Sequence, residues 1–129
     1  MTTYDPEQNL PTDLWLAMDE VERIAAVAAY HRRQRIRLPR PTLHATIHTV
    51  VENQIALGEG VVVETLTRLR SEGLTRHEAV HAIGTVLTEQ IFQALKGGGG
   101  APSDLSASYL DRVRRLTADE WRHSGETET

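Results

Sequence analysis

Apolar residues recur at intervals of three and four along most of the chain, the spacing that places them on one face of an α-helix. No segment shows the alternation of apolar and polar residues that is typical of a half-buried strand. The expected fold is therefore all-α, a four- to five-helix bundle. The predicted helices cover about residues 19–33, 42–57, 61–72, 75–96 and 104–123.

Local signals support the starts of three of these helices. Asp19 is followed three residues later by Glu22, and Thr75 by Glu78, the spacing of a capping box. Pro41 suits the first turn of the second helix, where its missing N–H has no intrahelical partner. These signals agree with the apolar periodicity that follows each of them.

Both ends of the chain are expected to lie outside the helices. Residues 1–12 carry two prolines among polar residues and are interpreted as an extended arm. Residues 124–129 are interpreted as a frayed tail. The whole chain of 129 residues has the length of a single helical domain. Three apolar residues are expected to anchor the arm: Leu10, Leu14 and Trp15.

Composition removes several classes of function. There is no cysteine, so disulfides, thiolate metal ligands and cysteine nucleophiles are excluded. A net charge of −4 argues against nucleic-acid binding by phosphate neutralisation. No apolar run approaches the roughly 18 residues of a membrane span, and the first residues do not resemble a signal segment. These features predict a cytoplasmic protein that binds neither nucleic acid nor membranes.

Histidines are the candidate chemistry, because two predicted helices carry them four residues apart. His44, His48 and Glu52 follow one another at this spacing, and so do His77 and His81. Side chains four apart lie on one helix face, so each pair can bind a single ion. Two such helices packed together would supply four imidazoles and a carboxylate. We therefore predict that these five residues bind one or two divalent transition-metal ions, with zinc and iron as the leading candidates.

Two further residues have competing interpretations. His31 lies seven positions after Ile24 on the apolar face of the first helix, so it is either a core histidine or another ligand. Glu78 completes an H-E-x-x-H match, the motif in which a zinc peptidase uses Glu as general base. Glu78 also completes the capping box with Thr75, and we favour the cap because the fold offers no sheet edge to bind a peptide.

A basic connector precedes the second helix and is a candidate binding surface. It could hold a small anionic ligand near the metal site, or it could simply be a solvated loop. The protein could also associate with further copies of itself as a homo-oligomer. The connector contributes five arginines: Arg32, Arg33, Arg35, Arg37 and Arg40.

The histidine pattern resembles an uncharacterised bacterial family, one of the domains of unknown function. The resemblance rests on Leu43-His44-x-x-x-His48-x-x-x-Glu52-Asn53-Gln54 followed by His77-x-x-x-His81. It implies a helical fold and a metal site but no reaction. A looser likeness is to hemerythrin-type metal-binding bundles, which pair an H-x-x-x-E helix with an H-x-x-x-H helix.

Two functional hypotheses follow. The first is a small helical metalloprotein whose ion is structural or supports hydrolytic or oxygen chemistry. The second is a helical protein-interaction module whose histidines are structural and whose arginine connector meets an acidic partner. The metal content of the protein distinguishes them.

Overall fold

Seven α-helices make up the part of the chain that the structure describes, which covers residues 4–35, 40–97 and 102–123 in a computed structural model. No strand occurs in these three ranges, so the all-α prediction is confirmed. None of the helices in them is long and apolar enough to cross a membrane. The helices are α1 Thr12–Ala17, α2 Glu20–Arg33, α3 Pro41–Ala56, α4 Gly60–Ser71, α5 Arg76–Gly97, α6 Pro102–Arg115 and α7 Ala118–His123.

The helices α2 to α5 begin and end within one residue of the predicted positions. Both capping boxes are present: the N–H of Asp19 donates to Glu22 at 2.8 Å, and the N–H of Thr75 donates to Glu78 at 2.9 Å. The predictions succeed here because each cap occupies donors that the first helical turn leaves without a partner.

Two expectations about the remaining segments are wrong. The helix α1 was not predicted, and within it Trp15 is buried whereas Leu14 is largely exposed. The predicted last helix is two helices, because the Thr117 hydroxyl accepts the N–H of Glu120 at 3.0 Å and starts α7 anew. Three of the segments interpreted from the sequence lie wholly or partly outside the described residues: the first residues of the arm, part of the basic connector, and the tail 124–129.

The helices α3 and α5 are central to the packing. The helix α3 packs against α1, α2, α4 and α5, and α5 also packs against α4, α6 and α7. A large apolar cluster contains buried residues from each of the helices α3, α4, α5, α6 and α7. A small one contains buried residues of the arm, α1, α2 and α3. The large cluster includes Val51, Val62, Leu69, Ile83, Val113 and Trp121; the small one consists of Tyr4, Trp15, Val27 and Ala45.

Gly84 sets the distance between α3 and α5. A Cβ atom at this position would lie 3.2 Å from the Cγ2 atom of Ile47, which is tighter than an ordinary contact. The missing side chain therefore permits close packing of α3 on α5.

A buried ion pair also joins these two helices. The guanidinium of Arg76 donates to both carboxylate oxygens of Glu52 at 2.8 Å, and both side chains are almost completely buried. The same carboxylate accepts the hydroxyl of Tyr4 at 2.6 Å, and Arg76 also donates to the carbonyl of Pro6 at 2.9 Å. Burial and then the Glu52 carboxylate raise the pKa of Tyr4, which keeps its hydroxyl a donor. The arm is thus fixed to α3 and α5.

The next two residues of α3 attach other elements. The Oδ1 atom of Asn53 accepts the indole N–H of Trp15 at 2.9 Å and the guanidinium of Arg23 at 3.0 Å, so it connects α1 and α2 to α3. The Oε1 atom of Gln54 accepts the hydroxyl of Tyr109 on α6 at 2.7 Å. Consecutive polar residues thus bind different neighbours of the same helix.

We expect Glu52→Leu to lower the free energy of unfolding by about 3–5 kcal/mol, because it leaves the Arg76 charge buried without a counterion. The double variant Glu52→Leu, Arg76→Met removes both charges and should recover most of that loss. Denaturant unfolding measures both values.

The matched control is Arg115→Ala. Arg115 pairs with Asp111 on the exposed side of α6, so its replacement should change the free energy of unfolding by less than about 1 kcal/mol. A double variant as unstable as Glu52→Leu would contradict the importance of the unpaired charge.

Candidate metal centre

Five of the six histidines come together where α2, α3 and α5 meet. The helix α2 supplies His31, α3 supplies His44 and His48, and α5 supplies His77 and His81. The ring centroids of neighbouring pairs are 4.6 to 5.8 Å apart. The expected convergence of the two four-residue pairs is confirmed, and we call the five residues the histidine cluster.

Three members of the cluster are close enough to hold one metal ion. His31, His48 and His77 each offer a ring nitrogen, and these nitrogens all lie within 4.8 Å of one another. His31 is therefore part of this group, although the predicted ligand set did not include it. Its position on the apolar face of α2 was the feature of the sequence that indicated a side chain directed into the protein. We call these three residues the inner triad.

Four of the six ring nitrogens of the inner triad are buried without a hydrogen-bond partner among the described residues. In His31 the Nδ1 atom donates to the carbonyl of Val27 at 2.9 Å, which leaves Nε2 with a free lone pair. In the part of the chain that the structure describes, neither nitrogen of His48 has a partner, and Nε2 of His77 has none. A buried polar atom without a partner costs about 1–3 kcal/mol, so such atoms are rare in proteins and call for an explanation.

The other two histidines are paired with each other. The Nε2 atoms of His44 and His81 are 3.0 Å apart, so one of them carries the hydrogen and the other accepts it. Both rings also adjoin His48, with centroids 5.2 and 5.1 Å from its ring. The predicted ligands of α3 and α5 are thus divided between the inner triad and this pair.

The surroundings keep the histidine cluster uncharged. Burial, followed by repulsion from neighbouring imidazoles, lowers the pKa of His44 to about 4 and that of His81 to about 2. Burial also lowers the pKa of His31 and His77, and lowers that of His48 strongly. Neutral imidazole is the form that binds a metal ion, so the cluster is in the binding form at neutral pH.

The remaining sequence candidate, Glu52, has other partners. Both of its carboxylate oxygens accept hydrogen bonds from Arg76, and one also accepts the Tyr4 hydroxyl. Its oxygens are not in the group of candidate ligand atoms that lie within 4.8 Å of one another, so Glu52 serves as the buried counterion of Arg76. Sequence analysis missed Arg76 as that partner, because the two residues are 24 positions apart and no spacing rule connects them.

Aromatic and acidic groups border the cluster on the side of the arm. The ring of Tyr30 meets His31 and His77 edge-on, with centroids 5.6 and 5.4 Å apart. A carboxylate oxygen of Glu7 accepts the backbone N–H of His77 at 3.1 Å. These contacts hold the first turn of α5, and so His77, against α2 and the arm.

Glu78 is a helix cap, as predicted. Its Oε1 atom accepts the N–H of Thr75 at 2.9 Å, and its own N–H donates to the Thr75 hydroxyl at 3.1 Å. In this orientation the carboxylate turns back to the start of α5, which is not where a peptidase general base would stand. The H-E-x-x-H match is therefore explained by capping.

The basic connector is only partly described. Arg33 donates to the carbonyl of Tyr4 at 3.1 Å and lies over the ring of Tyr30, with 5.8 Å to the centroid. Arg32, Arg35 and Arg40 are exposed, and Arg37 lies outside the described residues. An anionic ligand at these arginines stays a prediction.

Comparison with known proteins gives no relative: no family model, no curated protein and no solved structure matches the chain. The resemblances to an uncharacterised bacterial family and to hemerythrin-type bundles therefore stay predictions.

In the metal-free protein, we expect the free energy of unfolding to fall as the pH is lowered from about 6.5 towards 4. The unfolded chain protonates its histidines near their ordinary pKa, whereas in the folded protein the pKa of His44 is about 4 and that of His81 about 2. The unfolded state then binds more protons in this window, which favours unfolding.

Denaturant unfolding at a series of pH values between 7.5 and 5 measures this effect before carboxylates titrate. His123 is the matched control: it is exposed on α7, so His123→Ala should leave the pH dependence unchanged. Stability that is constant over the series would contradict the burial of neutral imidazoles.

For the cap, we expect Glu78→Ala to lower the free energy of unfolding by about 1 kcal/mol and Glu78→Gln to change it little, since glutamine can also accept the Thr75 N–H. Thermal unfolding compares the two variants. If Glu78→Gln were as unstable as Glu78→Ala, the carboxylate charge and not the capping geometry would be responsible.

Proposed function

We propose that this protein binds a divalent transition-metal ion through His31, His48 and His77. The observation that carries the proposal is the set of buried, unpartnered nitrogens on these three rings. Each nitrogen has lost the hydrogen bonds that water would provide. An ion among the three rings would supply a partner for one nitrogen of each ring at once.

Their arrangement favours an ion over a purely structural role. A structural histidine in a core normally satisfies both nitrogens, as the desolvation cost requires. His48 satisfies neither, although it is at the centre of the cluster and almost completely buried. The alternative of an interaction module with structural histidines leaves this ring unexplained.

The ligand set suggests which ions are suitable. Neutral imidazoles are good ligands for zinc, iron, nickel and copper, and we retain zinc and iron as the first candidates. Three protein ligands leave a further coordination position, which is the arrangement of catalytic zinc sites more than of structural ones. Glu52 is not among the proposed ligands, because Arg76 and Tyr4 hold its oxygens.

The first test is the metal content of the purified protein and of its variants. We expect a stoichiometric transition metal in the wild-type protein and at least about a hundredfold weaker binding of Zn²⁺ at the inner triad in His31→Ala and His77→Ala. Loss of groups that merely support a ligand weakens binding 10- to 100-fold, so loss of a ligand should exceed that. Elemental analysis and calorimetric titration measure these quantities.

His123→Ala is again the control, because this histidine is exposed and lies outside the cluster. A chelator should lower the melting temperature of the loaded protein by roughly 10 °C if the ion is present at a hundred times its Kd. Metal-free protein that takes up no Zn²⁺ would contradict the proposal and favour the interaction module. So would His31→Ala and His77→Ala proteins that bind as many Zn²⁺ ions, and as tightly, as wild type does.

A further inference from the structure

We propose that the histidine cluster holds two ions, with His48 as a ligand shared between them. The first ion is that of the inner triad, and the second lies between His44 and His81. This inference rests on the proposed function and extends it, because it assigns all five buried histidines to metal binding.

The first step concerns the pair His44 and His81. Their Nε2 atoms point at each other across 3.0 Å. Two nitrogens that bind one tetrahedral zinc at 2.0–2.1 Å are about 3.4 Å apart. A shift of a few tenths of an ångström would therefore convert the hydrogen-bonded pair into two ligands of one ion. The hydrogen of the donating ring would move from Nε2 to Nδ1 by exchange with solvent, so both rings would stay neutral.

The second step concerns the position of His48. Its ring centroid is 5.1 Å from those of His31 and His81, and 5.2 Å from those of His44 and His77. Rings bound to one tetrahedral ion have centroids about 5 Å apart, so His48 is at a suitable distance from both halves of the cluster. No other member has such even spacing to the remaining four.

The third step concerns the two nitrogens of His48. Both are buried and neither has a partner within residues 4–35, 40–97 and 102–123, so a single ion would satisfy one and leave the other unpaired. If each nitrogen binds an ion, the N–H hydrogen of the neutral ring leaves as a proton to solvent and the ring becomes an imidazolate. Its negative charge then offsets part of the repulsion between the two cations.

The test is the number of Zn²⁺ ions bound by metal-free full-length protein, measured by native mass spectrometry and calorimetric titration. We expect two ions in the wild-type protein and in His123→Ala. His44→Ala and His81→Ala should each retain one ion, held by the inner triad. His31→Ala and His77→Ala should also retain one, held by His44, His81 and His48.

His48→Ala tests the shared ligand, because it should weaken both ions by at least about a hundredfold. Circular dichroism checks that each variant is folded. His44 is only partly buried, so His44→Ala keeps the inference testable if His48→Ala does not fold.

The outcomes separate this inference from the proposed function. No bound Zn²⁺ in the wild-type protein would overturn both. One ion in the wild-type protein, unchanged in affinity in His44→Ala and His81→Ala, would overturn the second ion and leave the inner triad standing. Two ions of which one keeps its full affinity in His48→Ala would overturn the sharing.

Discussion

The ion pair between Glu52 and Arg76 fixes how α3 and α5 face each other, and the histidine cluster depends on that register. Glu52 lies one helical turn after His48, and Arg76 immediately precedes His77. Because the guanidinium binds both carboxylate oxygens in a buried place, a slide of one helix along the other would leave two charges without partners or water. The same contact therefore holds the histidine-bearing turns opposite each other.

Most of the helices could be predicted from the sequence, because their signals are local. A capping box or a proline at the first turn occupies or removes donors within one stretch of chain, and apolar spacing marks the face that is buried. The helix α1 could not be found in this way, because six residues are too few to show periodicity. The break before α7 does have a local signal of the same kind, Thr117 followed three residues later by Glu120, but it lies inside a segment that was predicted as one helix.

The candidate site was predictable only in part, for a related reason. Four-residue spacing places His44 with His48 and His77 with His81, so the convergence of two helices follows once they pack. Which nitrogens meet depends on how the helices are placed against each other, and this is set by contacts between residues far apart in the chain, such as Arg76 with Glu52. For the same reason, spacing alone suggested Glu52 as a ligand and could not indicate Arg76 as its partner.

The arm closes one side of the site through contacts between residues far apart in the chain. Pro6 meets Arg76, and Glu7 meets the N–H of His77, each across 70 positions. Joining such distant residues carries a larger loop-closure entropy than joining consecutive helices, so we expect these contacts to form late in folding. The helices that carry the histidines can assemble first, and the arm can then dock beside a cluster that is already in place. On this expectation, the first residues described are among the last to reach their native position.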